Sequence, residues 1–285
     1  MKLAQRMAIG YYKTKINTLS IVSKRRAAKI AFQLFCKPYS KVRLPQPASF
    51  AHASNFSFKS DGLTLYGWHW KAAKSNHQTI LIAHGLNSSS YKFEKYIILL
   101  QKAGFDVVAF DAPAHGISEG KYIHSLAYKN AIIAVNHLFG QLHGIMAHSL
   151  GALAASLAAE ALPDLQKLVL IAPATESTRA LNHFVQMMSV KPKTHQAIER
   201  LIVQISQQPI AWFSVSRAVK NFTIPTLWLH DLEDPICPFE DVQPVIDAHL
   251  SHIEFFITKG QGHSNIYRDA SSVKKILSFF KSGKV

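Results

Sequence analysis

The 285 residues carry 32 Lys and Arg against 17 Asp and Glu, a formal net charge of +15, and 48% of them are hydrophobic. That length and apolar share suit one large α/β domain with an inserted subdomain, because folding at this size hides about 75% of the unfolded surface. A disordered or disulfide-stapled chain is excluded: the two cysteines, Cys36 and Cys237, lie far apart in no zinc or redox spacing, and their scarcity points to a reducing compartment.

The placement of the charge decides what it means. From Met1 to Ser60 there are twelve Lys and Arg and no Asp or Glu, whereas beyond Ser60 the other twenty cations face all seventeen acids. Residues 1–50 therefore read as a basic N-terminal extension and residues 51–285 as a nearly neutral body. A helix is predicted from Leu19 to Phe35, with Ala27, Ile30, Ala31, Leu34 and Phe35 on one face and Lys24, Arg25, Arg26 and Lys29 on its first turns. Two readings stay open: the apolar stripe packs on the body and leaves the cations solvated, or residues 1–35 make peripheral contact with an anionic membrane. Nucleic acid is not expected as a partner, because aromatic and basic residues here do not interleave as a stacking groove requires. No stretch has the pattern of a secretory signal or the length of a membrane span. The expected location is cytoplasmic, peripheral at the inner face of the membrane under the second reading. Pro38, Pro45 and Pro47 mark an extended connector.

Phe56-Ser-Phe58 and Leu63–Trp68 alternate around Ser60-Asp61-Gly62, a hairpin signal. Strands are then predicted at Thr79–Ala83, Asp106–Phe110, Leu142–Ala147, Lys167–Ile171, Thr226–His230 and Ile253–Thr258. Helices are predicted near Lys92–Ala103, Ser125–Phe139, Leu150–Leu162, Phe239–Ala248 and Ser272–Phe280. Short Val- and Ile-rich runs without alternation are what strands buried on both faces look like. The pattern predicts an α/β fold with an eight-stranded, mostly parallel sheet and helices on both faces. More than fifty residues separate Ile171 from Thr226, too many for a plain loop, so about residues 173–223 are expected to form an inserted helical cap. Its Ala197, Ile198, Leu201, Ile202 and Ile205 make a helical stripe, and Phe184, Met187, Met188, Trp212 and Phe213 either line an acyl pocket or fill the cap's own core.

The stretch Leu142–Ala154, LHGIMAHSLGALA, runs from an apolar strand through His148 and Ser149 into an alanine-rich helix. This is the pattern of a nucleophile elbow, where a serine sits on a sharp strand-to-helix turn with small residues two before and two after it. Here these are Ala147 and Gly151. Three further stretches accompany it: ILIAHGLNSSS after the first parallel strand, GFDVVAFDAPAHGISEG around the next, and the pair LWLHDLEDPICP and TKGQGHSNIYRD after the last two. Together, from about Phe56 to Phe280, they resemble the α/β-hydrolase superfamily, and in particular its serine esterases and lysophospholipases.

The resemblance implies an α/β-hydrolase fold and a triad in the chain order serine, acid, histidine: Ser149, Asp234 and His263. Asp231, nearer the end of its strand, is the rival for the acid, and the alternative role for either aspartate is to cap the following helix. The backbone N–H groups of Leu86, after His84-Gly85, and of Leu150, after the serine, would form the oxyanion hole. Asp111, His115 and Ser118 would only shape their turn. The implied reaction is hydrolysis of a small-molecule carboxylic ester through an acyl-enzyme, with an acyl-lipid-like substrate and no metal or organic cofactor. A thioesterase or acyltransferase using the same serine, and a binding protein that has lost catalysis, are the alternatives.

Overall fold

The computed structural model describes residues 3–38 and 45–283; part of the predicted connector, with Lys41 and Arg43, and Lys2 at the start of the chain lie outside the described residues. In chain order the chain forms helices α1 (Leu3–Val22) and α2 (Lys24–Phe35), strands β1 (Ser54–Ser60), β2 (Leu63–Trp70) and β3 (Thr79–Ala83), helix α3 (Glu94–Lys102), strand β4 (Asp106–Phe110), helix α4 (Ser125–Phe139), strand β5 (Gly144–His148), helix α5 (Leu150–Ala159) and strand β6 (Lys167–Ile171). Then come helices α6 (Ser177–Met187), α7 (Pro192–Ser206) and α8 (Val215–Ala218), strand β7 (Thr226–Asp231), helix α9 (Gln243–Ile246), strand β8 (Ile253–Thr258), and helices α10 (Gly262–Asn265) and α11 (Ala270–Lys281).

All eight strands form one sheet in the order β1-β2-β4-β3-β5-β6-β7-β8. The hairpin β1–β2 and the β2–β4 pair are antiparallel, and every other pair is parallel. The central strands have helices over both faces, so β5, β6 and β7 are buried at every position. Trp68, Trp70, Ile82, Val107, Met146, Leu229 and Phe280 belong to the resulting core. β3 lies between β4 and β5, so the strand order reverses there, and loops leaving the carboxyl ends of β3 and β5 diverge over a crevice.

The chain divides into two compact units. The larger, Pro38–Thr175 with Ser214–Val285, is the sheet and its helices. The smaller combines the N-terminal helices, up to Lys37, with Glu176–Phe213, so the extension and the insertion share one helical cluster. Its centre is α2 against α7: Ala27, Ala28, Ala31 and Phe32 are buried from one side, and Thr194, Ile198 and Ile202 from the other. Phe35 meets Phe184 with ring centroids 5.4 Å apart, and the Asn17 amide donates to the Met188 carbonyl at 3.3 Å. The apolar stripe of α2 is thus used in packing, while Lys24, Arg25, Arg26 and Lys29 stay exposed.

Several predicted elements differ in extent, and three of the differences have a visible cause. The single helix Leu19–Phe35 is broken at Ser23, which is extended (φ −151°) and whose hydroxyl accepts from Arg26 N, capping α2. The helix predicted over Phe239–Ala248 is a 3₁₀ turn, Phe239–Asp241, followed by the single turn α9, with Pro244 in its first turn. β5 begins at Gly144 because Leu142 N turns aside to the Asn136 side chain, and it runs on to His148.

The turn after β4 is built around a buried carboxylate. Asp111 Oδ1 accepts from Ser90 N and Oγ, and Ser118 Oγ donates to the Asp111 carbonyl at 2.6 Å while accepting from Tyr66 N. A Cβ at Gly116 would fall 1.7 Å from Asp111 Oδ2, whereas one at Gly140 would meet nothing within 4 Å, and both glycines have positive φ. Gly116→Ala should therefore lower stability by about 1–3 kcal/mol more than Gly140→Ala. Urea unfolding midpoints of the two variants check this, since the shared left-handed conformation cancels in the comparison.

Candidate active site

Ser149 stands between β5 and α5 at φ 55° and ψ −121°, a conformation that L residues rarely adopt. The turn is held by Ser149 N donating to the Ile171 carbonyl at 3.0 Å and by Ala174 N donating to the Ser149 carbonyl at 3.2 Å. It also needs Gly151: a Cβ there would lie 2.5 Å from the His84 carbonyl oxygen and 2.7 Å from that of Ala83. Leu150 opens α5, where first-turn N–H groups have no intrahelical acceptor and the helix dipole favours negative charge.

His263, in the short helix α10 beyond β8, brings Nε2 to 3.0 Å from Ser149 Oγ. Its Nδ1 lies 2.7 Å from Asp234 Oδ2. A carboxylate accepts and does not donate, so Nδ1 carries the proton and the Nε2 lone pair faces the serine hydroxyl. Asp234 is almost fully buried, and its other oxygen accepts from Ile236 N at 2.8 Å and Cys237 N at 2.9 Å. Burial alone would raise its pKa, but His263 and these backbone donors outweigh it and hold the carboxyl below its ordinary range.

Asp231 is equally buried but turns elsewhere. Its Oδ2 accepts from Thr258 Oγ1 at 2.7 Å and Gln261 N at 2.9 Å, and its Oδ1 accepts from Glu233 N. It ties the end of β7 to the segment leading into His263, while Asp234 makes the contact with the imidazole itself.

The loop after β3 is placed by two histidines. His84 Nε2 accepts from Ala112 N at 3.1 Å, so its proton is on Nδ1, which donates to the Gly85 carbonyl at 2.8 Å. Burial foremost, with His115 nearby, pushes His84 well below its ordinary pKa and keeps it neutral. The carbonyl and amide of a trans peptide point in opposite directions, so fixing Gly85 O fixes the direction of Leu86 N–H. His115 Nε2 bonds the Leu86 carbonyl from the other side. Gly85 packs so closely on the elbow that a Cβ there would be 3.1 Å from Ser149 Cβ.

Two further histidines carry structure at the site that the motifs did not single out. His148 Nε2 donates to the His263 carbonyl at 3.0 Å, and its ring lies 4.8 Å from that of His263. Burial pushes its pKa down to about 3, so it is neutral. His230 Nε2 donates to the Cys237 carbonyl at 2.8 Å, bracing the loop that carries Asp234, and burial lowers its pKa as well. His148 ends β5 and His230 is the last residue but one of β7, and only the acceptor that each one meets reveals its role.

Among the described residues one trio, Asp234, Cys237 and His263, offers ligand atoms within 4.8 Å of one another. It is ill suited to a metal, because burial raises the Cys237 thiol pKa and metal binding needs the thiolate, while Asp234 and His263 already satisfy each other.

The arrangement of hydroxyl, imidazole and carboxylate, beside a helix N-terminus, is chemically competent for nucleophilic attack on a carbonyl. Comparison with known proteins agrees on the architecture. The sequence profile of a hydrolase family described as serine aminopeptidase, S33, matches residues 74–217. The uncharacterized hydrolase YugF of Bacillus subtilis is 32% identical over 119 residues, 40% of this chain and 42% of that protein, so the chain spans less than half the length of this curated relative. An esterase of Pyrococcus furiosus superposes with a TM-score of 0.67 at 19% identity, over 87% of this chain and 100% of that one. A monoacylglycerol lipase of Paleococcus ferrophilus does so with a TM-score of 0.59 at 22% identity, over 76% and 98%.

The neutral His148 gives a pH test of this packing. Its folded pKa, about 3, lies below its ordinary 6.5, so on acidification the unfolded chain takes up a proton that the folded chain refuses. Its contribution is therefore full above pH 6.5 and is lost as pH falls toward 3, amounting to about 2 kcal/mol between pH 7 and pH 5. His148→Gln should flatten that part of the acid limb, read from urea midpoints at the two pH values; an unchanged difference would show that His148 is not held neutral.

Proposed function

Because this chain belongs to the hydrolase family described as serine aminopeptidase, S33, within the α/β-hydrolase superfamily, we propose that it is a serine hydrolase cleaving a carboxylic ester through an acyl-enzyme intermediate. The reading rests above all on one observation: Ser149 Oγ, His263 and Asp234 stand in hydrogen-bond contact in that order.

In the proposed mechanism His263 Nε2 takes the Ser149 proton as Oγ attacks the acyl carbon, and Asp234 holds the imidazole in the right tautomer and balances its charge. The tetrahedral oxyanion is met by the N–H groups of Leu86 and Leu150, each worth about 10²–10³ in rate by analogy with other oxyanion donors. The imidazolium then gives its proton to the departing alcohol. Water, deprotonated by the same nitrogen, attacks the acyl-serine and releases the acid, which restores Ser149. Each step moves one proton through Nε2, so this chain's own groups suffice.

An acyl-lipid-like ester is the proposed substrate class. Of the insertion's large apolar side chains, Phe184, Met188 and Phe213 are buried, Phe184 against Phe35, while Met187 stays exposed and Trp212 half-buried; the remaining apolar surface favours an acyl chain over a polar one. A monoacylglycerol lipase and an esterase share the fold, and the family description names an aminopeptidase, so amides belong in any substrate panel.

Wild-type protein should react stoichiometrically with a fluorophosphonate probe, and Ser149→Ala should not. A folded wild-type protein that stays unlabelled would favour a binding protein of the same fold. Asp234→Asn should lower kcat on p-nitrophenyl esters by about 10⁴, by analogy with loss of the tautomer-setting carboxylate in other triads. Asp231→Asn should cost much less in kcat and should act mainly through stability. A panel of p-nitrophenyl esters of graded acyl length, a thioester and an amino-acid anilide then assigns the leaving group, and faster turnover of the anilide would overturn the ester reading.

A further inference from the structure

Helix α1 presents an unusual outward face. Ile16 and Ser20 are buried on its inner side. At 100° per residue, Met7, Tyr11, Thr14, Thr18, Ile21 and Val22 fall within an arc of about 100° on the opposite side, with the two threonines between the apolar ends of the row. Met7 is 68% exposed, Tyr11 59%, Ile21 74% and Val22 81%. Single exposed apolar side chains are ordinary, but an aligned row on the solvent face of an otherwise packed helix calls for a partner. The row runs about 22 Å along the helix and ends at the Ser23 break, where Lys24, Arg25 and Arg26 follow at once, all exposed. Arg6, Lys15 and Lys29 add exposed charge on the same two helices, and no acid occurs before Asp61 to neutralise any of them.

From this face we infer that α1 and the α1–α2 corner dock on an anionic lipid bilayer surface, with Ile21 and Val22 entering the acyl boundary and Lys24, Arg25 and Arg26 meeting lipid phosphates. Charge complementarity selects an anionic partner. The apolar row selects a bilayer, whose interior accepts a convex row of unrelated side chains without a matching groove. A nucleic acid would use the cations and gain nothing from Ile21 and Val22. The inference goes beyond the catalytic reading and does not depend on it, because none of these residues belongs to the site.

The face differs from the one the sequence suggested. The α2 stripe, Ala27 and Ala31 in particular, is buried, so deleting residues 1–35 would strip α7 of its packing partner and test nothing cleanly. Point substitutions on the outward face avoid this. The full chain, as Ser149→Ala to prevent turnover, is sedimented with vesicles of phosphatidylcholine alone and with phosphatidylserine at about a third of the lipid, at low and high salt. Binding to the anionic vesicles, weakening with salt and absent on phosphatidylcholine, is expected. Ile21→Ser with Val22→Ser should reduce the partition coefficient at least tenfold, and Arg25→Glu with Arg26→Glu at least 25-fold, about fivefold per cation removed from the surface. Both double variants, made with Ser149 intact, should hydrolyse a soluble p-nitrophenyl ester at the wild-type rate if the ester reading holds. An unchanged circular dichroism melt serves as the folding control if it does not. Equal vesicle binding by Ile21→Ser/Val22→Ser, or no binding by the parent protein, would overturn the inference. Tighter binding to a duplex oligonucleotide that survives Ile21→Ser/Val22→Ser would overturn it in favour of nucleic acid.

Discussion

The site depends on how closely two pieces of backbone pass where α5 leaves β5. A single methyl at Gly151 would lie within 3 Å of the carbonyl oxygens that end β3, so the start of α5 can approach that strand only because the side chain is missing. That approach brings the β3 loop against the elbow, Gly85 against Ser149, and sets the hydroxyl beside the peptide whose N–H is proposed as an oxyanion donor. The positive φ of Ser149 is strain of the kind that persists only where surrounding structure over-determines it; here β6, through the Ile171 carbonyl, and the segment after it, through Ala174 N, supply the restraint.

Around this point three buried imidazoles act as struts. His84 donates to the Gly85 carbonyl, His148 to that of His263 and His230 to that of Cys237. Each stands at the carboxyl end of a parallel strand, and each braces one of the loops that carry the proposed donors, base and acid. Burial depresses all three pKa values, so the struts place N–H donors without placing positive charge beside His263. A lysine or arginine in the same positions would bond as well but would oppose proton uptake by the base. Asp231 does the comparable work from the acidic side, holding the backbone that leads into His263 while Asp234 faces the ring.

Much of this was legible in the chain. β3, β4 and β6 have the predicted bounds because a run buried on both faces has sharp ends in composition, and the half-exposed edge strand β8 has its predicted bounds too. Ser149, His263 and Asp234, brought together in the sequence only by the family resemblance, lie in hydrogen-bond contact, and what was locally legible is that each of their motifs stands at a strand end. The break at Ser23 was hidden because helical periodicity continues across it, although a serine followed by Lys-Arg-Arg is a fair cap. The single turn α9 was overread for the opposite reason: apolar spacing carried the prediction through Pro244. The struts were illegible, since one histidine among fifteen announces nothing until its acceptor is seen. Least legible was the pairing of α2 with α7, because hydrophobic spacing says that a face will be covered and never by what.

That last pairing has a consequence for how the protein is made. Asn17 and Met188, which bond directly, are 171 residues apart, so the smaller unit cannot close until the ribosome has delivered its second half. At about 5–20 residues per second, the inner face of α2 waits roughly 10–30 s with its alanines and Phe32 uncovered. The dense positive charge on the same helix offers a means of surviving the interval, since nascent chains carrying it repel one another while they wait.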